Sequence, residues 1–333
     1  RRPGRALAAV RYVLGLRETP LLRRLRLLAL VLPAAELARR SEEKGLDHVH
    51  VHSCANAAHV AALSRILGGP SYSLTLHGDL PVYGRDHRAK CDPAVFVSAV
   101  TRPLQDQLVE SVGLAPERVP VVWMGVDVDR FRPARRVDST AGRPFTIVTV
   151  ARLNETKGHV HAMRALKLAR DRGAAPMRYE IAGEGPHRDE LEREVLRLGL
   201  SDRVALLGSL SEDGVRELLE RADAFCLPSF GLGEAAPVSV MEALACGLPV
   251  VCSIIGGTRD MIEDGVDGIL VEQRDEAGLA RAFEALAGDP ALRARLSEAA
   301  RARAERDFDY RVTAGRLAEH LRAAAAAVPA ANR

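Results

Sequence analysis

The chain has 333 residues, 47 of them Lys or Arg and 44 Asp or Glu, for a formal net charge of +3. With 47% hydrophobic residues it is neither disordered nor fibrous, its length points to two domains, and a charge near zero excludes a bulk nucleic-acid binder of histone type. The charge is uneven, with 21 basic and 14 acidic side chains in residues 1–140 (net +7) against 26 and 30 in 141–333 (net −4), so the halves are expected to face different partners.

In chain order, residues 20–45 read as a helix with leucines at helical spacing and arginines on the other face. Such a basic amphipathic helix suits an anionic membrane surface or, equally, a sheet with its arginines in water. A strand is expected over Asp47–His52, a helix over Ala55–Leu67, strands at Tyr72–Leu76 and Ala94–Val97, a helix over Arg102–Gly113 and a strand at Arg118–Val122. The polar, aperiodic stretch from Arg130 to Pro144 is taken as the domain boundary. After it, strands (145–150, 178–182, 204–207, 224–227, 249–252, 268–271) alternate with helices (159–172, 188–198, 212–221, 237–245, 258–262, 276–287, 291–306). This pattern predicts an α/β fold with parallel sheets: a domain over 1–140, a doubly wound domain over 141–308, and a C-terminal helix within 309–333 that returns to the first domain. Five cysteines without a CxxC pair argue against a disulfide framework and a zinc ribbon, and favour a reducing cytoplasm. No apolar run reaches the length of a bilayer span. The start at Arg1, without Met, suggests that the natural start is missing.

Two constellations promise chemistry. In Val150–Gly158 a strand ends and Arg152 and Lys157 precede a helix start, a suitable phosphate clamp because amides and the helix dipole add to the two cations. Any single Arg–Lys pair in so arginine-rich a chain would read as surface charge; the strand–loop–helix context favours function. In Phe230–Val250, Glu234 sits in a Gly-rich loop and Glu242 on the helix after Pro237, within an otherwise apolar segment. A carboxylate accepts paired hydroxyls, which suits Glu234 to a hexose and Glu242 to a ribose diol, and a carboxylate among apolar residues needs a partner. Gly256 and Gly257 at a strand-to-helix turn allow close backbone approach, and Gly183-Glu184-Gly185-Pro186 is a strand-end turn that is not a dinucleotide fingerprint. In the first half, His77 ends a strand where it can act as donor or base. His48, His50 and His52 share a strand face and could bind a metal, although a buried strand with no carboxylate or cysteine nearby makes a structural role the expectation. Ser98 and Thr101 are expected to cap the helix that follows them.

These segments, in order, resemble the retaining glycosyltransferases of family 4, which have the GT-B fold of two facing Rossmann-like domains. The carriers are WMGVDVDRF (123–131), VARLNETKG (150–158), IAGEGP (181–186), ALLGSL (205–210), ADAFCLPS (222–229), EAAPVSVMEALACGLPVV (234–251) and GGTRDMIEDGVDGILV (256–271). HVHVH, SYSLTLHGD and APVSVMEALACG are most similar to enzymes of exopolysaccharide and colanic-acid type. The resemblance implies a nucleotide-diphosphate sugar as donor. Arg152 and Lys157 would neutralise the leaving diphosphate, Glu234 would hold the donor sugar and Glu242 the ribose, and His77 would touch the sugar. Gly183, Glu184, Gly185, Ala235, Ala236, Pro237, Val238, Gly256 and Gly257 would line the donor site. No cofactor or metal is expected, because the two cations do a metal's work. The family's opening strand and Gly-rich loop have no match in residues 1–30, so the first domain is expected to be incomplete, and Ala235-Ala236-Pro237 stands where Gly-Phe-Gly is commoner.

The resulting expectation is a retaining glycosyltransferase that transfers a sugar to a lipid-linked or polysaccharide acceptor in the cytoplasm, with peripheral contact to an anionic membrane and no nucleic-acid partner. A non-catalytic GT-B-like partner or scaffold would bind a nucleotide sugar without turning it over. A sugar-nucleotide epimerase would convert the donor without an acceptor.

Overall fold

The computed structural model describes residues 3–133, 143–231 and 234–327. The chain divides into two compact units, Arg1–Trp123 with Ala314–Arg333, and Met124–Thr313. The boundary expected at 140/141 lies outside the described residues.

The first unit runs α1 (Pro3–Leu14), α2 (Leu21–Leu27), α3 (Val31–Lys44), β1 (His48–Val51), α4 (Asn56–Leu67), β2 (Ser71–Leu76), α5 (His87–Cys91), β3 (Val97–Ala99) and α6 (Arg102–Glu110). Its strands are parallel in the order β1-β2-β3. The single helix expected over 20–45 is broken, with α2 and α3 flanking a 3-10 turn, Leu28–Leu30. Pro33 accounts for the break, since it has no N–H to close a helical turn onto Ala29 but fits the first turn of α3, where no such bond is needed. The first helix, α1, was not expected; its Ala9 and Val13 are buried in one cluster with Leu27, Ala34 and Leu63. The strand expected over 118–122 is instead a 3-10 turn, Pro116–Arg118, and a single bridge from Val121 to Ala99. Pro120 offers a ladder only its carbonyl, which accepts from Ala99 N at 3.0 Å. Thr101 caps α6 by accepting from Leu104 N, whereas Ser98 lies inside β3 with its buried hydroxyl unpaired.

The alternating histidines are explained by the neighbouring strand. The parallel register sets His48 beside Ser71 and His50 beside Ser73. His48 bonds the hydroxyls of Ser71 and Ser73, and His50 those of Ser73 and Thr75, all at 2.7–2.8 Å. Both rings are therefore inter-strand rungs. Burial, with help from His52, His48 and His77, lowers the pKa of His50 to about 4, so the rung is neutral at physiological pH. Among the described residues no group of three or more His, Cys, Asp or Glu is placed to hold a metal ion.

The second unit runs β4 (Phe145–Val150), α7 (His159–Asp171), β5 (Met177–Ala182), α8 (Arg188–Arg197), β6 (Val204–Gly208), α9 (Glu212–Arg221), β7 (Ala224–Leu227), α10 (Val238–Ala245), β8 (Val250–Ser253), α11 (Thr258–Met261), β9 (Ile269–Val271), α12 (Glu276–Gly288) and α13 (Pro290–Arg303). All its strand pairs are parallel, in the order β6-β5-β4-β7-β8-β9. The central strands read as apolar runs because helices cover both faces, and Ile147, Ile181, Cys226 and Val251 sit in one core with Leu166, Phe283 and Leu286. Side-chain caps set several helix starts: Ser211 accepts from Gly214 N, Asp275 from Gly278 N and Asp289 from Leu292 N. After a π turn, Ala304–Phe308, the backbone is extended at Asp309 and pairs on either side with Val126. The last helix, α14 (Tyr310–Ala327), follows, and from Ala314 its residues belong to the first unit.

Candidate functional site

The strand order of the second unit reverses between β4 and β7. Successive strands build outward from β4 on one side and from β7 on the other, so the loops leaving the carboxyl ends of these two strands part and leave a crevice. Four loops meet there and are stitched by backbone hydrogen bonds. Leu153 N donates to Glu184 O at 2.9 Å, Phe230 N to Thr156 O at 2.8 Å, and Gly257 N to Ala235 O at 2.9 Å. Two glycines make this closeness possible. A Cβ on Gly158 (φ +70°) would lie 1.9 Å from Pro228 O, and one on Gly256 (φ +51°) 1.7 Å from Glu234 O, so no other residue fits either position without moving the backbone.

The loop after β4 brings Lys157 to the loop after β7, where its ammonium pairs with Glu234 Oε1. The same oxygen accepts from Ser229 Oγ at 2.9 Å. Ser229 is fully buried and the Lys157 and Glu234 side chains are 16% and 8% exposed, so solvent screens the pair weakly. Arg152 is exposed on the same loop, and its carbonyl accepts from His159 Nε2 at 3.1 Å. Burial lowers the His159 pKa to about 4, which leaves a neutral ring that fixes the loop. Glu242 is half-buried on α10 and has no side-chain partner among the described residues. Burial, and secondarily the charge of Glu212, raise its pKa to about 7. The crevice thus offers a cation and a paired carboxylate, and the helix that follows it carries a desolvated carboxylate with no hydrogen-bond donor among the described residues.

The remaining expected residues fall as follows. Gly183, Glu184 and Gly185 back the loop after β4, with Gly183 N bonded to Gly208 O and Glu184 also paired with Arg188. Ala235, Ala236 and Pro237 lead into α10, which starts at Val238, one residue later than expected. Gly257 caps α11. His77 belongs to the first unit; its N–H donates to the Tyr83 hydroxyl at 2.7 Å and its Nε2 lies 3.1 Å from His52 Nδ1. Sequence reasoning missed Ser229, His159 and Phe230 as site residues. Phe230 anchors the loop after β7, its ring held between the Arg274 guanidinium, 4.0 Å from the centroid, and the His161 ring at 5.5 Å. Beside it lies a pocket of about 310 Å³ lined by Asn154, His161, Arg164 and His187 among others.

Fold and site together define a doubly wound α/β protein with a charged crevice at its switch point. Residues 131–303 match the family model described as Glycosyl transferases group 1, and residues 1–130 match that described as Glycosyltransferase Family 4. The chain belongs to the glycosyl transferases of group 1. It is 36% identical over 220 residues to WcaL of Escherichia coli (strain K12), a glycosyltransferase named for colanic acid biosynthesis, covering 65% of this chain and 53% of that one. It is 33% identical over 226 residues to the amylovoran biosynthesis glycosyltransferase AmsK of Erwinia amylovora, covering 67% and 54%. The chain therefore spans about half the length of these curated relatives. Among solved structures it is similar to Anabaena HepE in complex with UDP, with a TM-score of 0.76, 23% identity and coverage of 87% and 82%. Sucrose-phosphate synthase of Thermosynechococcus elongatus gives a TM-score of 0.75 at 21% identity, with coverage of 93% and 83%. These likenesses place the fold in the GT-B class.

Proposed function

We propose that the chain is a retaining glycosyltransferase whose second unit binds a nucleotide-diphosphate sugar in the switch-point crevice and whose acceptor is lipid-linked or polysaccharide. The observation that carries this reading is Lys157 meeting Glu234 at the crevice, with the unpartnered Glu242 on the following helix. Lys157 and Arg152 supply positive charge where a diphosphate accumulates negative charge on leaving. Glu234 accepts hydroxyls of the donor sugar, and the ribose diol supplies the donors that Glu242 lacks. By family resemblance His77 contacts the sugar. Retention fits a leaving diphosphate oxygen that takes the acceptor proton on the same face, and the reading needs no protein nucleophile. The donor class is supported by the HepE structures with UDP and UDP-glucose, and the acceptor class by relatives named for colanic acid and amylovoran. The proposal includes peripheral contact with an anionic membrane. Leu21, Leu22, Leu25 and Leu32 are exposed, and the first three share α2 with Arg23, Arg24 and Arg26.

The test is mass-spectrometric detection of nucleoside diphosphate released from a panel of UDP-, GDP-, ADP- and dTDP-sugars with saccharide and lipid-linked acceptors. Release from one donor, abolished by Glu234→Ala and by Lys157→Ala, is expected. Neither binding nor release across the whole panel would sink the reading. Conversion of a donor without acceptor would identify an epimerase instead.

A further inference from the structure

The roles assigned above treat Lys157 and Glu234 as separate contacts, one to the diphosphate and one to the sugar. The structure joins them: the ammonium of Lys157 lies on Glu234 Oε1 in a poorly hydrated site. A diphosphate that takes Lys157 must take it from Glu234. Ser229 Oγ donates to the same oxygen from a fully buried position. That bond draws on charge Lys157 would otherwise claim, and it leaves Glu234 with a partner once Lys157 turns away. Without it the departing ammonium would strand a buried carboxylate, which is costly.

We infer that Glu234 is the internal counter-ion of Lys157, displaced by the donor diphosphate, and that Ser229 is the positioning residue that lets the pair open. This deepens the nucleotide-sugar reading and rests on it. One exchange then prepares two contacts, because the ammonium moves to the phosphates and the freed oxygen of Glu234 turns to the sugar hydroxyls. A whole nucleotide sugar compensates both partners of the broken pair. A nucleoside diphosphate alone compensates only Lys157, so after transfer Glu234 competes to recapture the lysine and favours product release.

The experiment is calorimetric titration of the chain with UDP, GDP, ADP and dTDP, followed by the same titration of Glu234→Gln, Ser229→Ala and Ser229→Thr with the diphosphate that binds most tightly. Glu234→Gln is expected to tighten nucleoside-diphosphate binding about tenfold, the scale of one charged hydrogen bond no longer in competition, while kcat falls. A Glu234 that merely held the sugar would leave diphosphate affinity unchanged. Ser229→Ala is expected to weaken diphosphate binding severalfold and Ser229→Thr, which keeps the hydroxyl, to restore it. Circular dichroism melts accompany each variant; if Glu234→Gln does not fold, the Ser229 pair decides. Unchanged or weaker diphosphate affinity in folded Glu234→Gln, or no effect of Ser229→Ala, overturns the inference. Failure of every diphosphate to bind the natural chain overturns the functional reading instead.

Discussion

Glu242 is the residue whose chemistry is least reconciled with its surroundings. Its carboxyl is half-buried on α10 with a pKa raised to about 7 by burial and by Glu212. A raised folded-state pKa means that the folded chain binds more protons than the unfolded chain between the two values, so stability from this group is present at acid pH and lost as pH rises through 7. Glu242→Gln, which removes the charge, should therefore raise the stability of the second unit by about 1–2 kcal/mol above pH 7, with the gain vanishing near pH 4, where the unfolded carboxyl is protonated too. Urea unfolding across that range measures it; an equal gain at both ends would mean that charge is not the cause. At this scale the sequence marks candidate residues but not how they pair. Lys157 and Glu234 were legible because strand ends and helix starts are. Their contact was not, because they are 77 positions apart and loop side chains follow no periodicity. Two of the four lysines prove to be deeply placed: Lys157 in the crevice, and Lys90, which is fully buried and donates to the carbonyls of Cys54 and Tyr83.

At the scale of elements, the second unit was largely legible, because its alternation of apolar runs with capped helices repeats unit after unit. The first unit was less so. Its helices α1 to α3 have short periodic stretches interrupted by Pro20 and Pro33, and a proline resets the helix without changing the spacing of leucines around it. The strand at 118–122 failed for a related reason, since Pro120 limits its pairing to one bridge. The result is that α2 exposes Leu21, Leu22 and Leu25 beside Arg23 and Arg26. If this face meets an anionic bilayer, the triple change of these leucines to Gln should lower co-sedimentation with phosphatidylglycerol vesicles about tenfold or more. Added salt should weaken the natural chain's binding. Equal binding to neutral phosphatidylcholine vesicles, or an unaffected triple variant, would refute membrane contact through α2.

At the scale of the whole molecule, a doubly wound unit assembles its site from loops far apart in sequence, and the sheet order decides which loops meet. Adjacency of β4 and β7 juxtaposes 151–158 with 228–231 and 234–237, and β8 adds 254–257. Linear motifs could name these segments; only the strand order makes them one crevice. The central claim is that this crevice receives the nucleotide sugar. Amide hydrogen exchange, with and without the donor identified by the release screen, tests it most directly. The account predicts slowed exchange in 151–158, 228–237 and 254–260, abolished by Lys157→Ala. Protection confined to other loops, or protection in these loops that survives Lys157→Ala, would contradict it.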